Sequence, residues 1–503
     1  MTASAATRNT GQAFAVGVLI MLIVNVLQRS VGLLRGIGFA RYLSAEELGH
    51  WALANSFFVL AVPILALGFP GSFGKFAEHY RKRGQFANYF RLCLKVTAIG
   101  AAAGIALLLL FSEPFSLIVF GQTKGSLIVL WWALCLLSVV GFSFVTELAS
   151  GLRQITTLSW MQFTQSVVFA GVGVGLAFRY QSWWVLLPSF AIANIVAMTM
   201  GWLRLRDSNG DEFLSPSNPD LTQQLLWRLA PFAVSLWLLN LFSNMFEVSD
   251  RYMLLHLVGD QGLAQGLIGQ YHCARIVPNL LISVGIMLGG VMLPYLSQDW
   301  EEKQIERLQK RVRQTMKTVA IGFLAISTAA MLVAPVLFRL LIDNHYDQAE
   351  AVLPLVLAQA VWIALFCVAE PFLLCIEKGK QLIALLAVSL VCNLGLNWIM
   401  IPAYGLEGAI VATAISNFLA LSLLLWQIRR TGCRLGKGTY LLCLSPCILL
   451  FGAIPSLAVF TLIVFLCGRT ELLFSASDRE QIDSVVCARL QRYGIPLETL
   501  WPK

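Results

Sequence analysis

The chain has 503 residues, 58% hydrophobic and only 13% charged, with a net charge of +9. Soluble domains are about 25% charged and about 45–50% apolar, so this composition belongs to a membrane protein with many spans. The positive charge lies in short clusters between apolar runs, without a zinc finger, helix-turn-helix or other reader motif, which excludes a nucleic-acid binder.

About 13 mostly polar residues precede the first apolar run, which extends from near Phe14 to Ala40. It is too long for a signal-peptide core and no small-residue cleavage site follows, so it reads as a retained first helix. Within it lie Arg29 and Arg35. A guanidinium keeps its charge in a protein, and holding it at membrane depth costs at least about 3 kcal/mol. One reading is snorkelling, or pairing with an acid elsewhere. The sharper reading is a wet cavity where arginine holds an anion, and Arg29, deeper in the run, fits it better than Arg35.

Runs of spanning length follow at about 49–74, 92–112, 126–147, 158–178 and 183–203. The polar stretch 204–224 carries RDSNGDEF and SPSNPD, which read as loop. Six more runs come at about 227–255, 268–296, 316–341, 350–376, 381–401 and 406–428. The expected organisation is an N-lobe at 1–206, a cytoplasmic linker at 207–226 and a C-lobe at 227–430, with six helices in each lobe. A further apolar stretch at 439–468, interrupted by Pro446 and Pro455, fits one or two short membrane helices, a hairpin in the preferred form. The tail 469–503 carries a capping box at Ser477–Glu480 and helical spacing of Ile482, Val485, Val486 and Leu490, predicting a short amphipathic helix on the cytoplasmic side.

Loops after even-numbered spans hold 21 lysines and arginines against 5 after odd-numbered spans. The N-terminus and the even loops are therefore expected in the cytoplasm. The 11 cysteines are scattered through apolar runs without a CxxC pair, and read as small core residues.

The two halves echo each other at an offset of about 220–224 residues. Gly49-His50-Trp51 aligns with Gly269-Gln270-Tyr271, and basic stretches follow spans 2 and 8 alike. Six spans per half give both halves one orientation, hence a parallel repeat about an axis along the membrane normal, with a cavity between lobes.

Here the residues become recognisable. RYLSAEELGHWAL resembles the ARxLGPxxFGxYAL segment of oligosaccharide lipid flippases, the polysaccharide-export branch of the multidrug/oligosaccharidyl-lipid/polysaccharide (MOP) exporter superfamily. Asp250-Arg251, Gly269-Gln270-Tyr271, Ala274 and Pro294 resemble that family's DR…GxY…A…P pattern. Ser44-Ala45 departs from the Gly-Pro of the first motif. The resemblance covers residues 10–430. It implies an all-α polytopic fold of two six-helix lobes, MATE/MOP-like, in the inner or plasma membrane. It also implies a monomer that flips a polyprenyl-diphosphate-linked oligosaccharide to the outer leaflet by alternating access, for surface polysaccharide biosynthesis.

No GxSxG, HExxH, Walker loop or strand–helix GxGxxG occurs, so no catalytic residue, metal ligand or cofactor is expected. Polar stripes remain: Asn25, Gln28, Arg29 and Gly32 in span 1; Asn240, Asn244, Glu247 and Arg251 in span 7; His272, Arg275, Asn279 and Ser283 in span 8. Stripes in spans 5 (Ser159, Gln162, Ser166) and 11 (Ser389, Asn393, Asn397) read instead as helix–helix hydrogen bonding. Given the resemblance, Arg29 and Arg275 are the expected diphosphate contacts, with Arg35 and Arg251 secondary and Asn25 and Asn244 as polar lining. Glu247 either pairs with an arginine or couples transport to H+ or Na+. A cation-coupled multidrug exporter of the same superfamily is the main alternative, and a membrane glycan polymerase or ligase a weaker one.

Overall fold

A computed structural model describes Val24 and residues 27–214, 219–342, 346–433, 435–469 and Leu473. Asn25, residues 14–23 and 26 of the first span and the expected tail helix lie outside the described residues. In chain order the first half holds α1 (27–42), α2 (Ala45–Ala66), α3 (Phe73–Lys82), α4 (Phe86–Leu110), α5 (Ser112–Phe120), α6 (Ser126–Gly151), α7 (Ile155–Tyr180) and α8 (Leu186–Leu214). The second half holds α9 (Pro219–Leu257), α10 (Gln261–Ala274), α11 (Pro278–Glu301), α12 (Ile305–Leu337), α13 (Asp347–Cys375) and α14 (Gly379–Arg430). Last come α15 (Lys437–Leu444) and α16 (Ala453–Arg469).

Ten described helices are long and apolar enough to cross a membrane. One of them, α14, is two spans joined at Gly405, whose φ of 57° and ψ of −126° interrupt the helix. Gln181 (φ 49°) breaks the chain at the corresponding point between α7 and α8. The 439–468 run divides at Gly452 (φ 98°), with a 3-10 turn at Ser445–Phe451 before it.

The repeat is written most plainly in four turns. Helices α3, α6, α11 and α13 all end with a residue in the left-handed region: Gly84 (φ 66°), Arg153 (φ 58°), Lys303 (φ 57°) and Glu377 (φ 60°). Each turn has the same pair of backbone bonds. Gly84 and Gln85 donate to Arg81 (3.0 Å) and Tyr80 (2.9 Å), and Arg153 and Gln154 donate to Ser150 (3.0 Å) and Ala149 (2.9 Å). Lys303 and Gln304 donate to Trp300 (3.0 Å) and Asp299 (2.9 Å), and Glu377 and Lys378 to Leu374 (3.1 Å) and Leu373 (2.9 Å). This is the Schellman closure, which satisfies carbonyls that a helix end leaves open. In three cases the left-handed residue carries a Cβ, a strain of about 1–2 kcal/mol offset by those two bonds.

The chain forms two compact units, Met1–Cys273 and Ala274–Lys503. In the first, an aromatic cluster of Phe73, Tyr80, Tyr89, Phe90, Phe144 and Phe213 joins α3, α4, α6 and α8. Within it the Ser72 and Tyr89 hydroxyls bond at 2.6 Å. In the second unit Phe323, Leu357, Leu365, Phe372 and Leu424 pack α12, α13 and α14 together. Trp362 Nε1 donates to the Cys443 carbonyl at 3.0 Å, tying α15 to α13. Lipid tails are as apolar as these side chains, so such close fits and hydrogen bonds, rather than escape from water, hold the helices together.

One member of each stripe assigned to helix–helix bonding makes such a bond. Asn393 donates to Thr413 (3.1 Å) across the two halves of α14, while Asn397 donates to Asn393 (3.2 Å) within the first half. Ser166 of α7 donates to the Gln28 carbonyl of α1 (3.4 Å).

Three expectations are corrected. The basic stretch after span 2 is helix α3, not loop, because Phe73, Ala77 and Tyr80 give it a buried face. The linker sequence RDSNGDEF continues α8 to Leu214, since Phe213 packs on Phe86 and Phe90 and Glu212 pairs with Arg81 at 2.8 Å. Span 8 is not one helix. It parts into α10 and α11 at a turn over 275–277, where Pro278 lacks the N–H that would bond the Ala274 carbonyl.

Candidate functional site

The described part of α1 lies along α7. Phe39 meets the Phe169 ring edge-on at 5.4 Å, Tyr42 meets Phe178 at 5.2 Å, and a Cβ on Gly173 would stand 3.0 Å from Phe39 Cζ. On this docked helix Arg35 places its guanidinium over the Phe169 ring, 4.8 Å from the centroid. A guanidinium on an aromatic face gains about 0.5–2 kcal/mol while its N–H donors at the edge stay available. Arg29 sits six residues earlier, about 120° around the helix. Among the described residues, neither arginine makes an ion pair or a hydrogen bond. Two permanent cations without an acid in one spanning helix can attract an anion.

The span 7 stripe divides between two settings. Asn244 Nδ2 donates to the Val59 carbonyl (2.9 Å) and Arg251 Nη1 to Ser56 Oγ (2.6 Å), both on α2. Arg251 is 5% exposed, and its backbone N–H bonds Asp250 Oδ1 at 2.9 Å. Asn240 and Glu247, also one heptad apart, lie on the exposed side of α9. Arg251 and Asn244 thus fasten α9 to α2, while Arg29 and Arg35 stand on the α1–α7 pair. Arg275 is buried in the turn between α10 and α11 and belongs to the second unit.

The motif that opens α2 acts through its local geometry. Ser44 caps the helix by accepting from Glu47 N (3.3 Å). The Glu47 carboxylate accepts from Ser182 Oγ (3.0 Å) and from the Trp183 N–H that begins the next 3-10 turn. His50 stacks on Trp183 at 5.4 Å and bonds Gln122 at 2.8 Å. These contacts draw the 121–125 and 181–183 turns onto the start of α2.

Glu147 on α6 and Glu370 on α13 were missed in the sequence. Each is a carboxylate inside a spanning helix, six and seven residues before the left-handed turn residue, with no hydrogen bond or ion pair among the described residues. A single acid in an otherwise uncharged run of about 20 residues was the available signal. Among the described residues, no group of three His, Cys, Asp or Glu side chains is arranged to hold a metal ion.

A polysaccharide biosynthesis protein model matches residues 14–300, more than half of the chain. This protein belongs to the polysaccharide biosynthesis protein family. A MatE model also matches residues 236–399, placing the family member in the MOP superfamily. An uncharacterized membrane protein, YabM of Bacillus subtilis, is 20% identical over 435 residues, covering 82% of this chain and 80% of its own. The lipid II flippase MurJ of the same organism is 19% identical over 442 residues, covering 80% of each. The fold is similar to that of lipid II flippase MurJ in an inward closed conformation (TM-score 0.66, 13% identity, 90% of this chain and 99% of that one). It is also similar to an inward-facing multidrug resistance MATE transporter (TM-score 0.61, 15% identity, 80% and 94%). This polysaccharide biosynthesis protein therefore has the all-helical fold of the superfamily and is a multi-pass membrane protein, similar to transporters.

Proposed function

We propose that this protein moves a lipid-linked oligosaccharide, joined to a polyprenyl carrier through a diphosphate, from the cytoplasmic to the outer leaflet of the cell membrane. The carrying observation is α1, whose Arg29 and Arg35 lie in an apolar run and, among the described residues, pair with no acid. A diphosphate is the group such a helix suits, since arginine offers it a bidentate donor fork. Arg29 and Arg275 contact the diphosphate, and Arg35 supports them. Arg251, engaged by Ser56, keeps α2 and α9 in register rather than reaching substrate in this state.

The mechanism is alternating access, with the repeat halves rocking about the substrate and the basic loops in the cytoplasm. Glu247 is the coupling candidate for H+ or Na+. The protein acts as a monomer, without a cofactor.

The test is the leaflet distribution of lipid-linked oligosaccharide in cells with the protein, without it, or with Arg29→Ala. Accumulation on the cytoplasmic side in both deficient cases, with normal membrane insertion of the variant, supports the reading. An unchanged distribution with lost resistance to cationic dyes would favour the drug-exporter alternative, to which the MatE match lends its weight.

A further inference from the structure

The two glycines that the repeat aligns also meet. A Cβ built on Gly49 of α2 would overlap the Gln265 carbonyl oxygen and stand 3.2 Å from Gly269 N. A Cβ on Gly269 of α10 would overlap the Ala45 carbonyl oxygen and stand 3.0 Å from Gly49 N. Ala45 and Gln265 are themselves separated by the repeat offset, as Gly49 and Gly269 are. The contact is therefore reciprocal, the arrangement of a two-fold interface in which each side offers the same surface to the other. Both helices lie in the first compact unit.

Only glycine permits this approach, in which Cα–H groups face carbonyl oxygens, as at small-residue crossings of membrane helices. The crossing is also tethered. Gln265 Nε2 donates to the Phe120 carbonyl at 2.8 Å, fixing the start of α10 to the end of α5. The helix is interrupted six residues beyond Gly269, at the 275–277 turn before Pro278. Gly266, a neighbour on the same helix, has open space where its Cβ would be. Helix α10 is thus glycine-dependent at 269 and indifferent at 266.

We propose that the Gly49–Gly269 crossing is the closing contact of a gate at the α1–α2 loop end, parted when α10 swings about the 275–277 turn. This rests on the alternating-access reading, though not on the identity of the substrate. A tight crossing of equivalent helices, hinged nearby, is suited to two discrete states because packed interfaces switch rather than deform gradually.

Amide hydrogen exchange on the full chain in lipid nanodiscs tests it, comparing the native protein with Gly49→Ala, Gly269→Ala, Gly266→Ala and Gln265→Leu. Either crossing alanine should raise exchange at 48–56 and 265–272 by about tenfold, equivalent to about 1.4 kcal/mol. The same variants should slow exchange at 66–72 and 80–85, as the other end closes. Gly266→Ala should leave both ends unchanged. Gln265→Leu adds no bulk at the crossing and should act in the same direction more weakly, giving a readout if an alanine variant fails to insert. Faster exchange at the crossing without slowing at the other end would make this an ordinary packing contact and overturn the gate. No change in the alanine variants would overturn it as well. A protein that shows the reciprocal pattern but moves no lipid-linked oligosaccharide keeps the gate and loses the substrate.

Discussion

The guanidinium of Arg35 on α1 stands over the Phe169 ring of α7, its Cζ 4.8 Å from the ring centre. Phe169 is 2% exposed and also meets Trp51 and Phe190 at 5.4 and 4.8 Å, so the platform is rigid. Arg35→Lys keeps the charge but loses the planar stack and the donor fork. Transport by Arg35→Lys is expected to fall about tenfold, and by Phe169→Leu about threefold, corresponding to about 1.4 and 0.7 kcal/mol within the range of cation–π contacts. Initial rates of lipid-linked oligosaccharide transfer in reconstituted vesicles check this; equal rates for native and Arg35→Lys protein would count against the stacked role.

Asp299, at the end of α11, joins a different pair. Its carboxylate is 3.0 Å from Arg311 Nε and 3.6 Å from Arg307 Nε, and its side chain is 3% exposed. Removing one side of a buried pair costs about 3–5 kcal/mol, but both arginines are reached by water, which lowers the figure. Asp299→Asn is expected to destabilise the protein by about 1–3 kcal/mol. A double-mutant cycle in detergent should give a larger coupling to Arg311, whose side chain is 26% exposed, than to Arg307, at 60%. Equal couplings would contradict the geometry.

Lys124, in the turn between α5 and α6, has its ammonium 5.3 Å from the centres of both Phe120 and Trp183. Burial lowers its pKa to about 8 from the usual 10.5, against the opposing pull of Glu47 and Glu46. The fold disfavours the charged form. That penalty is complete below about pH 8 and is relieved as pH rises from about 8 to 10.5, so Lys124 contributes a stability that increases across this window. Thermal unfolding of native protein and Lys124→Met should differ most below pH 8, with the variant more stable there, and the difference should shrink toward pH 10.5. A difference that grows with pH would reverse the sign and refute the assignment.

Residues within α14 and α3 mark how far sequence reading reaches. Asn393 and Asn397 were legible as a helix–helix network because their spacing puts them on one helical face inside an apolar run. The basic KFAEHYRK stretch reads as a loop by charge, yet it folds as α3 because Phe73, Ala77 and Tyr80 find an aromatic cluster contributed by three other helices. Local charge was visible; its distant packing partners were not. By sequence Arg251 stands behind Arg29 only as a secondary diphosphate contact, and its bond to Ser56 of α2 is visible only in the structure.

By itself the sequence determined the membrane class, the two-fold repeat and the helices of spanning length, because hydropathy, charge placement and segment length act through lipid and need no knowledge of neighbours. Tertiary structure alone decided which stripe residues are spent on other helices, where span 8 breaks, and that Gly49 meets Gly269. Those outcomes depend on the distance between backbones far apart in the chain, and a glycine looks the same in sequence whether its missing Cβ faces open space or another helix's carbonyl.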